Sequence, residues 1–471
     1  MIRVVLALVL GWGLSIAQAS TPYDRLLEQV RQLQASGRLP QEARLHLQVK
    51  EGNQAYFLGA DQALKERWEM ATGILLDIRL MPQQTAGEAL QRDGQVDLLV
   101  ARNQEYPDLF SRGLILSLND FYAELGFYPE DEDWFLGEAQ TVFHDQRLAV
   151  PGDADLLLLY LRQDLLDDPE EKSAFQARFG YPLKAPQTWQ EYQDQVSFFH
   201  RPEQGLWGSV ELRDPHLAWP FWLARFMAFS WPDTRLFDDQ GRPRINTPAG
   251  QAALSSYLAT LDMTPDSVRL AGSGYDAALP YFYKGQAYAL MITPAASKLF
   301  RNRPLPISDR FSVHPLPGVY HNQSLVRSSV LAFGNNLVIP AQSRYPLLAL
   351  LYALWITSAD VSEEGLVLTR SFADPFRESH LQAPELAAVY GQATLDAIAT
   401  SLPNTVNPAL DQEGSGLYIE AFNQLLAEAI EQHLSEEVTL QRIEAAWQQI
   451  SREQEILPDR AQDQQARRVA Q

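Results

Sequence analysis

Two hydrophobic periods take turns along this chain, and their alternation predicts its architecture. Leu26, Leu27, Val30 and Leu33 share one face of a helical pattern over residues 23–36. Leu45, Leu47 and Val49 then alternate with polar residues, the period of two expected of a half-buried strand. Residues 60–72 return to helical spacing and stop at Gly73, a residue suited to the left-handed backbone that ends helices. Residues 74–80 predict a second strand, 86–92 a short helix, and the apolar run 96–101 a third strand. Strands separated by helices imply parallel βαβ units, the start of an α/β lobe.

The middle of the chain reads differently. Residues 164–199 are mostly helical in pattern, broken at Gly180-Tyr181-Pro182 and at Ala185-Pro186. Thr188, with Glu191 three residues later, carries the signature of a capping box at a helix start. An aromatic helix is expected over 220–230, further helices over 250–261 and 275–284, and a strand over 287–292. A strand over 335–340, a long apolar helix over 345–357 and amphipathic helices over 421–433 and 439–452 complete the pattern. From Pro458 onward the chain is polar and is expected to be disordered. No repeat and no low-complexity linker interrupts it, so two lobes would share the chain by crossing back and forth.

The first residues change the picture. Arg3, the apolar stretch 4–16 and the small-x-small triplet Ala17-Gln18-Ala19 form an export signal with cleavage expected after Ala19. The apolar stretch is shorter than the roughly 20 residues a membrane-spanning helix needs. The expectation is therefore a periplasmic chain that spans no membrane. Cysteine is absent, which excludes disulfides, thiolate chemistry and a lipid-modified cysteine anchor, and leaves the fold to rest on its 46% apolar residues. The net charge of −21 disfavours nucleic acid and anionic lipid as partners.

Catalytic signatures are missing. The chain has no HExxH, no GxxxxGK[ST] and no GxSxG, and its eight histidines show no i, i+4 pairing for zinc. The expectation is no enzyme, no cofactor and no metal. A secreted glycoside hydrolase or lyase stays as the competing reading, because 59 acidic residues make carboxylate pairs unavoidable.

Eight signals in order carry a resemblance. They are Val49-Lys50-Glu51-Gly52-Asn53 after a strand, Asp97 opening the third strand, residues 111–118, and Val150-Pro151 followed by an apolar run to Arg162-Gln163-Asp164-Leu165. Pro186-Gln187-Thr188-Trp189-Gln190-Glu191, Tyr283-Lys284-Gly285-Gln286-Ala287, Leu316-Pro317-Gly318 and Trp355-Ile356-Thr357-Ser358 follow. Together they resemble the family 1 extracellular solute-binding proteins of ABC importers. That resemblance implies an α/β, two-lobed periplasmic-binding-protein fold of type II, each lobe a mixed sheet flanked by helices. It implies a hinge of three crossings. Residues 20–41 would form an N-terminal arm, 42–152 and 328–358 the first lobe, 153–327 and 359–456 the second, and 457–471 a polar tail. The implied function is capture of a small sugar or polyol by a monomer and delivery to a permease, or presentation of the solute to a sensor.

Carried over position by position, the resemblance nominates solute contacts. Asn53 and Gln54 follow the first strand, Asn103 follows the third, and Asp153 and Asp155 stand at the first crossing. Asp214-Pro215-His216 resembles an acid-Pro-aromatic element with histidine for the aromatic, Trp219 follows it, Asn335 re-enters the first lobe, and Tyr418 matches a late aromatic position. Arg377 reads equally as a cleft donor or a salt-bridged hinge residue. Trp219, at helical spacing with Trp222 and Phe226, also reads as core. Relatives often place a stacking tryptophan where this chain has Ala295, which favours a mono- or disaccharide or a polyol over a long oligosaccharide.

Overall fold

The computed structural model describes residues 22–81, 85–92, 94–410 and 412–454; the expected export signal at 1–19 and the expected polar tail at 457–471 lie outside them. Strands β1 (Ala43–Lys50), β2 (Ile74–Met81), β3 (Leu98–Arg102), β4 (Val150–Pro151), β5 (Leu158–Arg162), β6 (Trp207–Ser209), β7 (Ala287–Ile292), β8 (Phe311–His314) and β9 (Asn335–Val338) build two sheets. The helices that matter for the site are α1 (Pro22–Ala35), α2 (Gln54–Leu58), α3 (Tyr106–Ser111), α4 (Ala218–Phe229) and α5 (Gly274–Tyr283). Later in the chain come α6 (Ala295–Arg301), α7 (Pro346–Ile356), α8 (Ala359–Leu366), α9 (Ser415–Glu431) and α10 (Glu436–Glu453).

Lobe 1 holds the sheet β2-β1-β3-β9-β4. Its first three strands are parallel, with Ala43 beside Ile74, while β9 returns antiparallel to β3 with Asn335 opposite Arg102. The alternation of Leu45, Leu47 and Val49 is realised: all three side chains are buried. Gly73 ends the helix before β2 at φ +71°, as its position predicts. Lobe 2 holds the sheet β8-β5-β7-β6, whose two central strands are buried along nearly their whole length. That double burial explains why 158–161 and 287–292 read as continuous apolar runs rather than alternations.

Caps follow local chemistry. The Thr188 hydroxyl accepts from Glu191 N–H at 3.1 Å and opens the helix Trp189–Phe199. Glu191 reaches back to the Gln187 amide at 2.6 Å, one residue before the position a full capping box uses. Beneath these elements, Glu211 is buried with no exposed side-chain surface and bridges Arg225 and Arg213. Arg225 lies 4.1 Å over the Trp189 ring, so an ionic triad sits inside the helical layer of lobe 2.

The lobes are joined by three crossings. Two run side by side: Leu156 faces Leu331, and Leu157 N–H donates to Val330 C=O at 3.1 Å. Ala332 N–H reaches Asp155 C=O and Asn335 N–H reaches Asp153 C=O, at 3.1 and 3.0 Å. Gly334 is required here, since a Cβ would come within 2.7–2.9 Å of Asn103 Nδ2 and the carbonyls of Asp153 and Ala154. The third crossing lies later than the sequence suggests. Helix α8 packs on α2, with Gly365 against Tyr56, so the chain leaves lobe 1 beyond residue 366 instead of at residue 358.

Candidate functional site: a buried carboxylate cluster between the lobes

The C-terminal ends of the lobe 1 strands and all three crossings converge on one polar cluster. Lys50 ends β1, and Asn53 follows in a single 3-10 turn whose tight geometry directs its amide inward. Asp153 and Asp155 leave β4 on the first crossing, Asn335 begins β9 on the second, and Asp374 stands on the third. From lobe 2 come Thr293, just after β7, and Lys298 of α6.

Asp153 is the organiser. One of its carboxylate oxygens accepts from Asn53 Nδ2 at 2.9 Å and Asn335 Nδ2 at 3.1 Å; the other accepts from Asp374 N–H at 2.9 Å. Asn335 Nδ2 also lies 3.5 Å from Asp155 Oδ2. Asp155 is held at φ +50°, a left-handed backbone uncommon outside glycine and tolerated best by Asp and Asn. Asp374 is fully buried, yet neither of its carboxylate oxygens accepts a well-formed hydrogen bond, and Asn335 Oδ1 is likewise without a donor. Carboxylate oxygens of Asp153, Asp155 and Asp374 lie within 4.8 Å of one another. An all-oxygen set of this kind suits a hard cation, but amines already occupy its surroundings.

Those amines define the electrostatics. Lys298 Nζ donates to Leu366 C=O at 3.1 Å and Ala373 C=O at 2.9 Å and lies 4.8 Å over the Tyr390 ring. Burial lowers Lys298 to about 8 although all three aspartates pull it upward. Lys50 is lowered to about 7, by burial first and by Arg102 second. Burial also pushes each carboxyl up: Asp153 with the help of Asp155, Asp155 with the help of Asp374, and Asp374 to about 7 with the help of Asp153. Three carboxyls and the neighbouring Lys50, Lys298 and Arg102 thus nearly balance in formal charge. Tyr275, half-buried on α5, has its phenol raised by burial and then by Asp155, so an aromatic ring belongs to the same environment.

Of the nominated residues, the structure brings Asn53, Asp153, Asp155 and Asn335 together. Gln54 is half-buried at the start of α2, next to them in the chain. Asn103 is fully buried and spends its amide on the hinge: Nδ2 donates to Leu331 C=O and Oδ1 accepts from Asn336. Arg377 is the salt-bridged hinge residue of its two readings, bound to Asp133, Glu132 and Thr357 C=O. Trp219 lies in the core among Trp222, Phe422 and Trp447, its indole donating to Pro408 C=O at 2.9 Å. Tyr418 is buried against Phe237 and Trp447, with its hydroxyl on Ser451. Asp214 caps the turn before α4 through His216 N–H, and the His216 side chain is exposed.

Sequence reasoning missed Asp374, Lys298, Lys50 and Tyr275. A signal existed for Lys298, a lone cation in the stretch Ala295-Ala296-Ser297-Lys298-Leu299-Phe300. Two surface hollows, one around Trp189, Phe229 and Tyr320 and one around Leu90, Leu114 and Ala341, include none of the cluster residues.

Two mixed α/β sheets tied by three crossings, with a polar cluster where the crossings meet, define the class: a two-lobed type II periplasmic-binding-protein fold. Solved structures share it over nearly the whole chain. Maltose-bound MalE3 of T. maritima superposes with a TM-score of 0.69 at 18% identity, covering 87% of this chain and 100% of that one. An ABC transporter solute-binding protein from Agrobacterium radiobacter in complex with ribitol gives 0.68 at 16% identity, covering 88% and 100%. One from Thermotoga lettingae bound with α-D-tagatose gives 0.66 at 18% identity, covering 87% and 98%. No family model matches the sequence, and no curated protein matches it. Among the described residues, no helix is long and apolar enough to cross a membrane.

Proposed function

We propose that this protein captures a small, uncharged, polyhydroxylated solute between its lobes, outside the cytoplasm, and hands it to the permease of an ABC importer without chemical change. The supporting observation is the cluster of underserved buried acceptors at the junction of the lobes: neither oxygen of Asp374 nor Oδ1 of Asn335 receives a well-formed hydrogen bond. Buried acceptors without donors cost free energy unless a ligand supplies hydroxyl hydrogens. The near balance of carboxyls against Lys50, Lys298 and Arg102 favours a solute without net charge. Tyr275 offers an apolar face for the C–H side of a sugar or polyol. The ligands named for the three neighbours, maltose, ribitol and tagatose, are of this chemical kind.

In this reading Asn53, Asp153, Asp155, Asn335 and Asp374 accept from or donate to the solute, with Gln54 beside them. Lobe closure excludes water and strengthens each contact. Thermal unfolding against sugars, polyols, amino acids and compatible solutes tests it: a true ligand at a hundredfold excess over its Kd stabilises by about 2.7 kcal/mol. Asp155→Ala is expected to weaken that ligand more than about tenfold, the loss of a hydrogen bond to a charged group. Stabilisation by amino acids alone would refute the solute class, and recovery of cleaved sugar would make the protein an enzyme.

A further inference from the structure

The lobes touch a second time, away from the carboxylate cluster. Asp108 of α3, in lobe 1, accepts from Gly416 N–H at 2.8 Å, and Gly416 belongs to the first turn of α9, in lobe 2. The N–H groups of Gly414 and Ser415 face the same carboxylate. A side chain from one lobe therefore satisfies the free amides that begin a 17-residue helix of the other, where the helix dipole favours negative charge. The approach is close: a Cβ on Gly416 would fall within the contact radius of Asp108 Oδ2. Beside it, Asn407 Nδ2 donates to Gln140 C=O at 3.0 Å and to the Tyr106 hydroxyl at 3.2 Å, again from lobe 2 to lobe 1. None of these residues belongs to the carboxylate cluster.

We propose that Asp108 and the start of α9 form a latch between the lobes, and that its strength sets solute affinity from outside the solute site. The pair exists only when the lobes are together, so it biases the protein toward the closed form. A bias of this kind alters apparent affinity through the population of the closed state. The affinity consequence rests on the capture reading above; the latch itself does not.

The chain lacks cysteine, so Glu66→Cys and Ser173→Cys, exposed on lobe 1 and lobe 2, accept two spin labels without background. Interlobe distances are measured in the full chain without solute, for the parent and for Asp108→Ala, Gly416→Ala and Asp108→Asn. The first two variants are expected to shift toward longer distances, and Asp108→Asn, which keeps an oxygen for the amides, to restore the parent distribution. Gly416→Ala raises helix propensity, so its thermal unfolding is not expected to fall while its lobes part. With a solute in hand, Asp108→Ala and Gly416→Ala raise Kd about three- to tenfold, chiefly through faster dissociation. Unchanged distances in both variants overturn the latch, whichever solute the protein takes. Longer distances with an unchanged Kd overturn its role in affinity. Longer distances in a protein that no solute stabilises uphold the latch and refute the capture reading.

Discussion

Asp374→Asn isolates the cost of keeping unpaired carboxyls inside the protein. In the folded state burial, then Asp153, raises this group from 3.8 to about 7, while Lys298 and the Thr293 and Ala295 donors pull it down. A carboxyl whose folded pKa exceeds its unfolded value makes the folded state the tighter proton binder between about pH 4 and about pH 7. Its contribution to stability is therefore fully present below about pH 4 and is lost as pH rises through about 7. The move from 3.8 to about 7 corresponds to about 4 kcal/mol at most. Asparagine removes that penalty, but it also removes the charge that holds the buried Lys298 amine protonated, which reduces the net gain to about 1–3 kcal/mol near pH 8. Thr293 and Ala295 approach Asp374 without forming a well-formed bond, so the amide, which keeps one acceptor oxygen, forfeits little hydrogen bonding. Urea unfolding of the solute-free parent and variant, from about pH 4 to about pH 8, reads both quantities. The expected result is a variant more stable at high pH, with a flatter dependence between about pH 4 and pH 7, that no solute stabilises. A variant less stable near pH 8, with the parental slope intact, refutes the reasoning.

Two further substitutions separate framework from site. Glu211→Gln leaves Arg213 and Arg225 buried with their charge uncompensated and is expected to cost about 3–5 kcal/mol in chemical denaturation. Trp219→Ala opens a cavity among Trp222, Phe422 and Trp447 and is expected to cost about 3–5 kcal/mol while leaving solute Kd unchanged in the folded fraction; a variant of parental stability with tenfold weaker binding would put Trp219 in the site after all.

Much of the fold was legible because elements in both lobes begin or end with local signals. The alternation at 45–49, the helix stop at Gly73 and the Thr188 cap each act within a few residues of the chain. The order of the crossings followed from resemblance, since no local pattern announces that β9 will lie between β3 and β4. Asp155 was nominated by the resemblance, and Asp153 as its neighbour in the chain. Asp374 was not, because its importance depends on meeting Asp153, 221 residues away in the chain. Trp219 and Tyr418 show the converse: aromatics that the resemblance nominated as solute contacts pack into a helical layer built by α4, α9 and α10. The same spacing, tryptophan at 219 and 222 with phenylalanine at 226, had left the core reading open.

The shared chain also has a consequence in time. The central strand β3 is flanked on one side by β1 and on the other by β9, whose Asn336 pairs with Asn103 across 233 residues. Lobe 1 therefore cannot complete its sheet during synthesis until the ribosome has delivered the whole first segment of lobe 2, and the entropy of closing that long loop must be met before the pairing is rewarded. Such non-local topology folds slowly. A newborn chain therefore spends many seconds of translation with the edge of β3 that β9 will cover still unpaired, an interval in which that edge is open to other chains.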